Sequence, residues 1–177
     1  MKAETWRPVR PKPAASLILI GPDETVLMGR RPTKSRFAPD AWVFPGGRVD
    51  AVDARVGPDR FRAAAIRETV EETGLAIDVG RLRPLGRAIT PVPSPIRFDA
   101  RFFIAHADAD CRAAPLARNA EFTELLWLPL ADARRLPLMD VTEVMLDEAM
   151  ARLRGGPGGV LTLTYRGGRV LLRRLPA

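Results

Sequence analysis

The sequence predicts a single domain of the α/β class, and three observations support this prediction. Its 177 residues, 46% of them hydrophobic and 28% charged, suit one globular domain with its own core. Short strand-like segments bounded by Gly, Pro and Asp run through most of the chain. One longer segment, Arg60–Thr73, lacks Gly and Pro and is rich in Ala, Arg and Glu. It stops at Gly74, which predicts a helix with a glycine C-cap.

The predicted elements follow one another from strand to helix and back to strand. Strands over residues 14–20 and 25–29 flank a Gly-Pro-Asp-Glu turn, and a short apolar strand over 41–44 runs into two glycines. After the helix we expect strands over 75–79, 82–90, 97–107 and 124–128, a loop over 109–119, helices over 130–136 and 141–154, and a hairpin of strands 160–165 and 169–175. The expected organisation is a basic, Pro-rich arm over residues 1–13 and a single domain over 14–177.

The composition excludes several kinds of site. A single cysteine, Cys111, and a single histidine, His106, exclude an internal disulfide, a thiolate-clustered metal site and a multi-histidine metal site. The formal net charge of +7 favours phosphate-bearing ligands, although an arginine-rich composition alone would also produce it. The longest apolar run is far shorter than the roughly 20 residues of a membrane-spanning helix. Without a leader-like N-terminus, the chain is expected to be cytoplasmic.

Three acidic residues share one side of the predicted helix. Glu68, Glu71 and Glu72 fall within an arc of about 100°. Carboxylates about 6 Å apart repel each other by about 3 kcal/mol per pair at an effective dielectric constant of 20. A divalent cation would convert this repulsion into a site of hard oxygen ligands suited to Mg²⁺ or Mn²⁺. The alternative is a solvated acidic face on which Arg67 pairs with Glu71.

The same helix has a side that is expected to pack on a sheet. Ile66, Thr69 and Val70 occupy a face different from that of the acids and are the predicted packing residues. Ala64 and Ala65 fall on the carboxylate side, so no bulky side chain is expected next to the acids.

The acidic segment resembles a known family motif. Residues 67–75 match Arg-Glu-x-x-Glu-Glu-x-Gly-apolar, the second half of the Nudix box, and the Phe-Pro-Gly-Gly of residues 44–47 looks like its start. The likeness extends over residues 14–136, so the chain is similar to Nudix hydrolases. It implies an α/β/α sandwich with a mixed β-sheet, and hydrolysis of a diphosphate bond in a nucleoside-diphosphate-linked substrate.

The chain departs from the family pattern between the two halves of the motif. Six residues are inserted between Gly47 and Arg67, in a loop where extra length costs little. By position, Asp59 replaces the glutamate that the family carries in this loop. Because of the insertion, Asp50 and Asp53 are equally open candidates for that acid.

The resemblance also implies roles for individual residues. Glu71 and Glu72 would be the principal ligands of Mg²⁺ or Mn²⁺, and Glu68 a further ligand or the base that activates water. The Gly47 carbonyl is a plausible backbone ligand, and Arg67 would brace the glutamates by ion pairing. Some family members take the base from a downstream loop, and here Glu121 and Glu124 are the candidates, with a surface role as the alternative.

A second pattern concerns the substrate. Residues 27–47 resemble in spacing the signature of coenzyme A diphosphatases within this family, and Arg31, Arg36 and the Phe-Pro-Gly-Gly match in register. Two arginines near the metal site suit the additional 3′-phosphate of coenzyme A, unless they belong to a solvated loop. Arg97 is a candidate for lining the pocket, and Phe98 for stacking on a base.

The favoured substrate is therefore coenzyme A or an acyl derivative. The alternatives are ADP-ribose, a dinucleotide or another nucleotide, or a domain that binds nucleotide or RNA without turnover. A small-molecule partner is expected in preference to nucleic acid, with no membrane partner. The C-terminal hairpin is expected either to cap the sheet or to support a homodimer.

Overall fold

A nine-stranded mixed sheet forms the centre of the molecule, in the order β3-β2-β1-β6-β5-β8-β9 with β4 paired to β1 and β7 to β2. The computed structural model describes residues 8–57, 59–117 and 119–176. The strands are β1 (Lys12–Ile20), β2 (Thr25–Arg30), β3 (Trp42–Val43), β4 (Gly46–Arg48), β5 (Arg83–Ile89), β6 (Phe98–His106), β7 (Glu124–Pro129), β8 (Val160–Arg166) and β9 (Arg169–Leu175). β1 pairs in parallel with β6, and β5 with β8, while the other pairs are antiparallel. The predicted fold class is confirmed.

Five α-helices accompany the sheet within the described ranges: α1 (Asp53–Val56), α2 (Arg60–Thr73), α3 (Ala109–Ala113), α4 (Leu130–Ala133) and α5 (Asp140–Leu153). A 3₁₀ helix spans Val79–Arg81. The predicted bounds of α2 are confirmed at both ends. The Asp59 side chain accepts hydrogen bonds from the first-turn amides of Phe61 and Arg62. At the other end, Gly74 adopts the left-handed conformation, with a φ of 77°, that a helix C-cap favours.

The two faces of the sheet bury separate apolar clusters. On one face α2 contributes Ala64 and Ala65, which pack with Leu17, Leu19 and Phe103 of the sheet. On the other face Met145, Leu146 and Ala149 of α5 pack against β-strand residues of the second cluster. The sandwich predicted by the family resemblance is therefore present, with α2 and α5 as its outer layers.

The predicted packing face of α2 is partly wrong. Val70 is 42% exposed, whereas Thr69 is fully buried and donates its hydroxyl to the carbonyl of Ala65. Ala64 and Ala65 lie in the core instead of leaving open space next to the acids. The helix is therefore rotated so that Glu72 falls at the edge of its buried side.

Three predicted segments also differ from the structure. Residues 75–79 form no strand, although Leu75 and Ile77 are buried as the alternation required. The expected loop over 109–119 begins with α3, whose N-cap Asp108 accepts from the amide of Cys111. The expected loop after Gly47 contains the short helix α1, and β4 extends into its first residue, Arg48.

The ends of the chain bear on the expected organisation. β1 already begins at Lys12, and residues 1–7 of the expected arm lie outside the described residues. The C-terminal hairpin has its predicted strands, with β8 next to β5 and β9 beyond it. Its role in a homodimer stays a prediction. In the described ranges, none of the helices combines the length and apolar character that crossing a bilayer requires.

Candidate active site

Two glycines of β4 bring the backbone against the acids of α2. The amide of Gly46 donates to Oε2 of Glu72 over 2.8 Å. A Cβ atom at Gly47 would lie 2.4 Å from Cδ of Glu68, closer than atoms of these types can approach. Only glycine at position 47 therefore allows the Glu68 carboxylate to lie against the strand.

The three acids differ strongly in burial. Glu72 is only 4% exposed, the Glu68 side chain is 16% exposed, and the Glu71 side chain is 57% exposed. Burial, reinforced by the neighbouring charge of Glu68, raises the pKa of Glu72 to about 8, even though the Gly46 amide favours the ionised form. Burial also raises the pKa of Glu68.

Arg67 links the acids of α2 to the inserted loop. Its guanidinium donates to both carboxylate oxygens of Asp53, over 2.9 and 3.0 Å. It also donates to Glu68 over 2.9 Å, to Glu71 over 3.1 Å and to the Arg48 carbonyl over 3.0 Å. The hydrogen bonds to Asp53 are the main reason why the pKa of Arg67 is raised. Among the cationic side chains, only the planar guanidinium of arginine can bind a carboxylate in this bidentate way.

The structure distinguishes the three loop acids that the sequence left open. Asp53 is buried, pairs with Arg67 and accepts from the Asp50 amide over 2.7 Å. Burial opposes its ionisation, but the hydrogen bonds from Arg67 and Asp50 hold the pKa of Asp53 below its ordinary value. Asp59 was the candidate suggested by its position in the motif, but its side chain caps the N-terminus of α2. Asp50 lines the neighbouring pocket.

The acids fit a hard divalent cation, although the described residues contain no preformed group of three ligands. Arg67 contacts Glu68 and Glu71 and so occupies part of their coordinating capacity. Among the described residues Glu72 has no cationic side chain within ion-pair distance, and the more distant Arg31 is a minor favourable charge beside the effect of burial. Ionisation of such a buried carboxylate is costly, and either a proton or a bound cation removes the cost. Carboxylate and carbonyl oxygens are the ligands that Mg²⁺ and Mn²⁺ prefer.

A cavity of about 700 Å³ extends from these acids across the sheet to the start of α5. Glu68, Glu71 and Glu72 line one end. The lining is largely apolar and includes Phe37 and Phe98, whose rings meet edge to face with centroids 4.9 Å apart. An acidic end joined to an aromatic chamber suits a ligand with a phosphate group and a flat or apolar remainder.

The four predicted substrate-binding residues lie in different places. Arg31 and Phe98 line the cavity, and Arg31 donates from Nε to the Phe37 carbonyl over 3.1 Å. Arg36 is exposed on the same loop and is not among the lining residues. Arg97 donates to the carbonyls of Thr90 and Val9, so its guanidinium fixes backbone and does not face the cavity.

The two candidate bases also separate. Glu121 lines the cavity, with Oε2 4.0 Å from Nη2 of Arg31. Glu124 lies at the start of β7, pairs with Arg30 over 2.9 Å and is not a lining residue. The structure therefore brings Glu121, and not Glu124, next to the acids of α2.

Several site residues were missed by sequence reasoning. Asn119 donates its amide to the Glu72 carbonyl and accepts from the Glu121 amide over 2.9 Å, which ties the Glu121 loop to the end of α2. Phe37, Asp140 and Tyr165 also line the cavity. None of these belongs to a motif, and only long-range packing brings them to the site.

The comparison with protein families agrees with the motif. Residues 10–148 match the family profile described as the NUDIX domain. A segment of 63 residues is 51% identical to a Caenorhabditis elegans protein that bears the name nudix hydrolase 7. This segment is 35% of the present chain and 21% of that protein, so the chain spans about a fifth of the relative.

Solved structures show the same architecture. A NUDIX hydrolase from Alicyclobacillus acidocaldarius superposes with a TM-score of 0.69 at 27% identity, covering 78% of this chain and 90% of its own. The NUDIX domain of Shewanella oneidensis NrtR, crystallised with ADP ribose, superposes with a TM-score of 0.65 at 16% identity, covering 84% of this chain and 94% of its own. At 16% identity, the second likeness concerns the fold alone.

Proposed function

Because the chain belongs to the Nudix hydrolase family, we propose that it hydrolyses a diphosphate bond in a nucleoside-diphosphate-linked substrate with the help of Mg²⁺ or Mn²⁺. The observation that carries this proposal is the buried Glu72 carboxylate, which accepts a hydrogen bond from the Gly46 amide and has no ion-pair partner among the described side chains. It lies at the acidic end of a cavity large enough for a nucleotide-type ligand.

Each acidic residue has a distinct part in the proposed reaction. Glu72 and Glu71, with the Gly47 carbonyl, would hold the cation, and Glu68 would be a further ligand or the base. When bound, Mg²⁺ or Mn²⁺ neutralises charge on phosphate oxygens and lowers the pKa of a water molecule. Arg67 fixes Glu68 and Glu71 through its bonds to Asp53, so its role is to position them.

The proton acceptor for the attacking water is either Glu68 or Glu121. Glu68 is half-buried against Gly47, and burial raises its pKa, which makes it a stronger base than a solvent-exposed glutamate. Glu121 faces the same cavity and is held by Asn119. Glu124 forms an ion pair with Arg30 outside the cavity, so it is not a candidate for the proton acceptor.

We favour coenzyme A or an acyl derivative as the substrate. Arg31 is the cationic side chain of the matched loop that lines the cavity, where it can bind a phosphate beyond the scissile diphosphate. The apolar lining suits a long, weakly polar substituent. ADP-ribose or a dinucleotide is the second candidate, because Arg36 lies outside the cavity and leaves only one of the two matched arginines for an additional phosphate.

A phosphate-release screen tests the proposed function. Coenzyme A, acyl-coenzyme A, ADP-ribose, dinucleoside polyphosphates and nucleoside triphosphates are incubated with the protein and Mg²⁺ or Mn²⁺. We expect turnover of at least one diphosphate-linked compound, and none after chelation. Ligand binding without turnover under all conditions would favour the binding-domain alternative, which the three intact acids argue against.

The substrate preference is tested at Arg31. Arg31→Ala should lower kcat/KM for coenzyme A about tenfold more than kcat/KM for 3′-dephospho-coenzyme A, because the lost contact is to the additional phosphate. Arg36→Ala is the matched control from the same loop and should leave both values within about twofold. Equal losses on both compounds would remove the case for coenzyme A.

A further inference from the structure

The end of the cavity opposite the acids is formed by two elements that the site has not used. Tyr165 of β8 and Asp140 at the start of α5 both line this end, and the tyrosine hydroxyl donates to Oδ2 of Asp140 over 2.6 Å. Burial, together with this hydrogen bond, raises the pKa of Tyr165, so its hydroxyl stays protonated at neutral pH. The tyrosine therefore holds the carboxylate in one orientation.

A third polar group of this wall has no bonding partner. Thr142 is only 3% exposed and lines the cavity, yet its hydroxyl makes no hydrogen bond to any of the described residues. The Thr142 oxygen is not among the polar atoms that are sealed from solvent without a partner, so it is accessible from the cavity, where a ligand can bind it. The wall thus offers a carboxylate that only accepts and a hydroxyl that can donate.

The sheet register gives the distance of this wall from the acids. Ala88 of β5 pairs with Leu163 of β8, so Tyr165 lies beside the end of β5. β4, which carries the two glycines, pairs with β1. Strands β6 and β5 lie between β1 and β8 in the sheet. Three strand spacings amount to about 14 Å. A sugar with an attached bicyclic base can bridge such a distance from a phosphate at the acidic end.

From these observations we infer that Asp140, Thr142 and Tyr165 form a subsite for the adenine ring of the substrate. Adenine presents an amino donor beside a ring-nitrogen acceptor, which matches an accepting carboxylate and a donating hydroxyl. A 6-oxo purine reverses this pattern and would oppose carbonyl oxygen to carboxylate. The carboxylate also disfavours a phosphate at this end.

This inference rests on the proposed function but deepens it in one respect. The family profile matches residues 10–148, so Tyr165 belongs to a part of the chain beyond the match. The hairpin then has a role in specificity: its tyrosine orients the carboxylate that reads the base. Asp140 and Thr142 are the specificity-determining contacts, and Tyr165 is a positioning residue.

A binding experiment without metal tests the subsite separately from catalysis. Isothermal titration of the full chain with AMP and with IMP should give at least about tenfold tighter binding of AMP, as expected for a base read by paired hydrogen bonds. Asp140→Asn and Tyr165→Phe should each reduce this ratio several-fold. Asp147→Asn, an exposed acid on the same helix, should leave it unchanged.

Two further ligands identify which part of the nucleotide is read. 2′,3′-Dideoxyadenosine 5′-monophosphate should bind as tightly as AMP if the base, and not the ribose, contacts the proposed subsite. Equal affinity for AMP and IMP, or loss of binding with the dideoxy ligand alone, would overturn the assignment.

Kinetics separate this inference from the proposed function. If the wild-type chain hydrolyses ADP-ribose, Tyr165→Phe should raise KM for it more than it lowers kcat, and should leave KM for the inosine analogue within about twofold. A chain that selects AMP over IMP but turns over no substrate would contradict the proposed function and keep the subsite. A chain that hydrolyses ADP-ribose and its inosine analogue equally well would support the proposed function and contradict the subsite.

Discussion

Glu72 combines two properties that conflict in the protein alone. Its carboxylate is buried on α2 beside Glu68, and it accepts one backbone hydrogen bond, from the Gly46 amide. Ionisation in that position is unfavourable, which is why its pKa rises to about 8. A divalent cation would remove this cost, so the residue that is least stable when charged is also the one with most to gain from metal binding.

Replacing Glu72 by glutamine should therefore change activity and stability in opposite directions. Glu72→Gln removes the proposed principal cation ligand, and we expect turnover to fall by several orders of magnitude. The ordinary pKa of 4.5 is raised to about 8 in the folded chain, so the wild-type protein without metal loses stability as the pH rises through this interval. The glutamine variant should escape that loss and melt higher than wild type at pH 9, but not at pH 4.

Thermal melting with chelator at both pH values, alongside the phosphate-release assay, measures the two effects. Glu71→Gln is the matched control, because Glu71 is exposed and its neutralisation should barely change the melting temperature. A glutamine variant at position 72 that is folded and fully active would contradict the assignment of Glu72 as a ligand.

The raised pKa also predicts how cation binding depends on pH. Ligand carboxylates must be ionised, so below a pKa of about 8 the affinity for Mn²⁺ should fall by up to about tenfold per pH unit. Titration calorimetry from pH 6 to pH 9 should show affinity rising with pH and levelling off above 8. A pH-independent affinity between 6 and 8 would mean that Glu72 does not ionise on binding.

At the scale of elements, α2 illustrates what the sequence can predict. Its helical composition, the glycine cap and the acidic motif are all local signals, so both its bounds and its cluster of acids were found in advance. The contacts of Arg67 with Glu68 and Glu71 follow from the local motif. Its pair with Asp53 could not be predicted, because the inserted loop carries three acids, Asp50, Asp53 and Asp59. Only the turn that forms α1 decides which of them reaches the guanidinium.

Residues 75–79 illustrate the opposite case. Leu75 and Ile77 are buried while their neighbours are exposed, which is the alternation of a half-buried strand. An extended segment that packs on a core has this pattern whether or not a neighbouring strand pairs with it. Hydrogen-bond partners are set by the rest of the sheet and leave no mark in the local sequence.

The division of work between the loop acids can be tested by a pair of variants. Asp53→Asn removes the charge that pairs with Arg67 in a buried position, and we expect a loss of about 3 kcal/mol in the free energy of unfolding together with reduced activity. Asp59→Ala removes a helix cap and a surface ion pair with Arg62, for which about 1 kcal/mol and nearly unchanged activity are expected.

Urea unfolding and the phosphate-release assay on both variants provide the measurement. If Asp59→Ala impaired activity more than Asp53→Asn did, the acid suggested by position in the motif would be the functional one after all.

At the scale of the whole molecule, the sheet joins two regions that the sequence treats separately. The motif region, from β4 to α2, holds the acids, and Tyr165 of the C-terminal hairpin lines the cavity together with the start of α5. Strand pattern alone predicted the hairpin, but its parallel pairing with β5 depends on the direction in which α5 returns the chain. The cavity is thus a property of the assembled sheet and could not be predicted from any one segment.

The hairpin is held to α5 by a buried carboxylate. Glu148 of α5 accepts from both terminal nitrogens of Arg174 on β9, over 2.6 and 2.7 Å, and from Nε of Arg152 over 3.0 Å. Glu148 is buried, whereas the neighbouring Asp147 forms an exposed pair with Arg134. The two adjacent acids thus offer a comparison between a structural and a surface ion pair.

Glu148→Ala should accordingly loosen the hairpin without unfolding the motif region. It leaves two arginines without their carboxylate, and we expect a loss of about 2 kcal/mol in the free energy of unfolding, against less than about 1 kcal/mol for Asp147→Ala. Hydrogen–deuterium exchange should show β8 and β9 losing protection while α2 keeps it. Because Tyr165 lies on β8, the KM of the substrate should rise more than kcat falls. If exchange increased equally in α2 and in the hairpin, the carboxylate would stabilise the whole fold and not the docking of the hairpin.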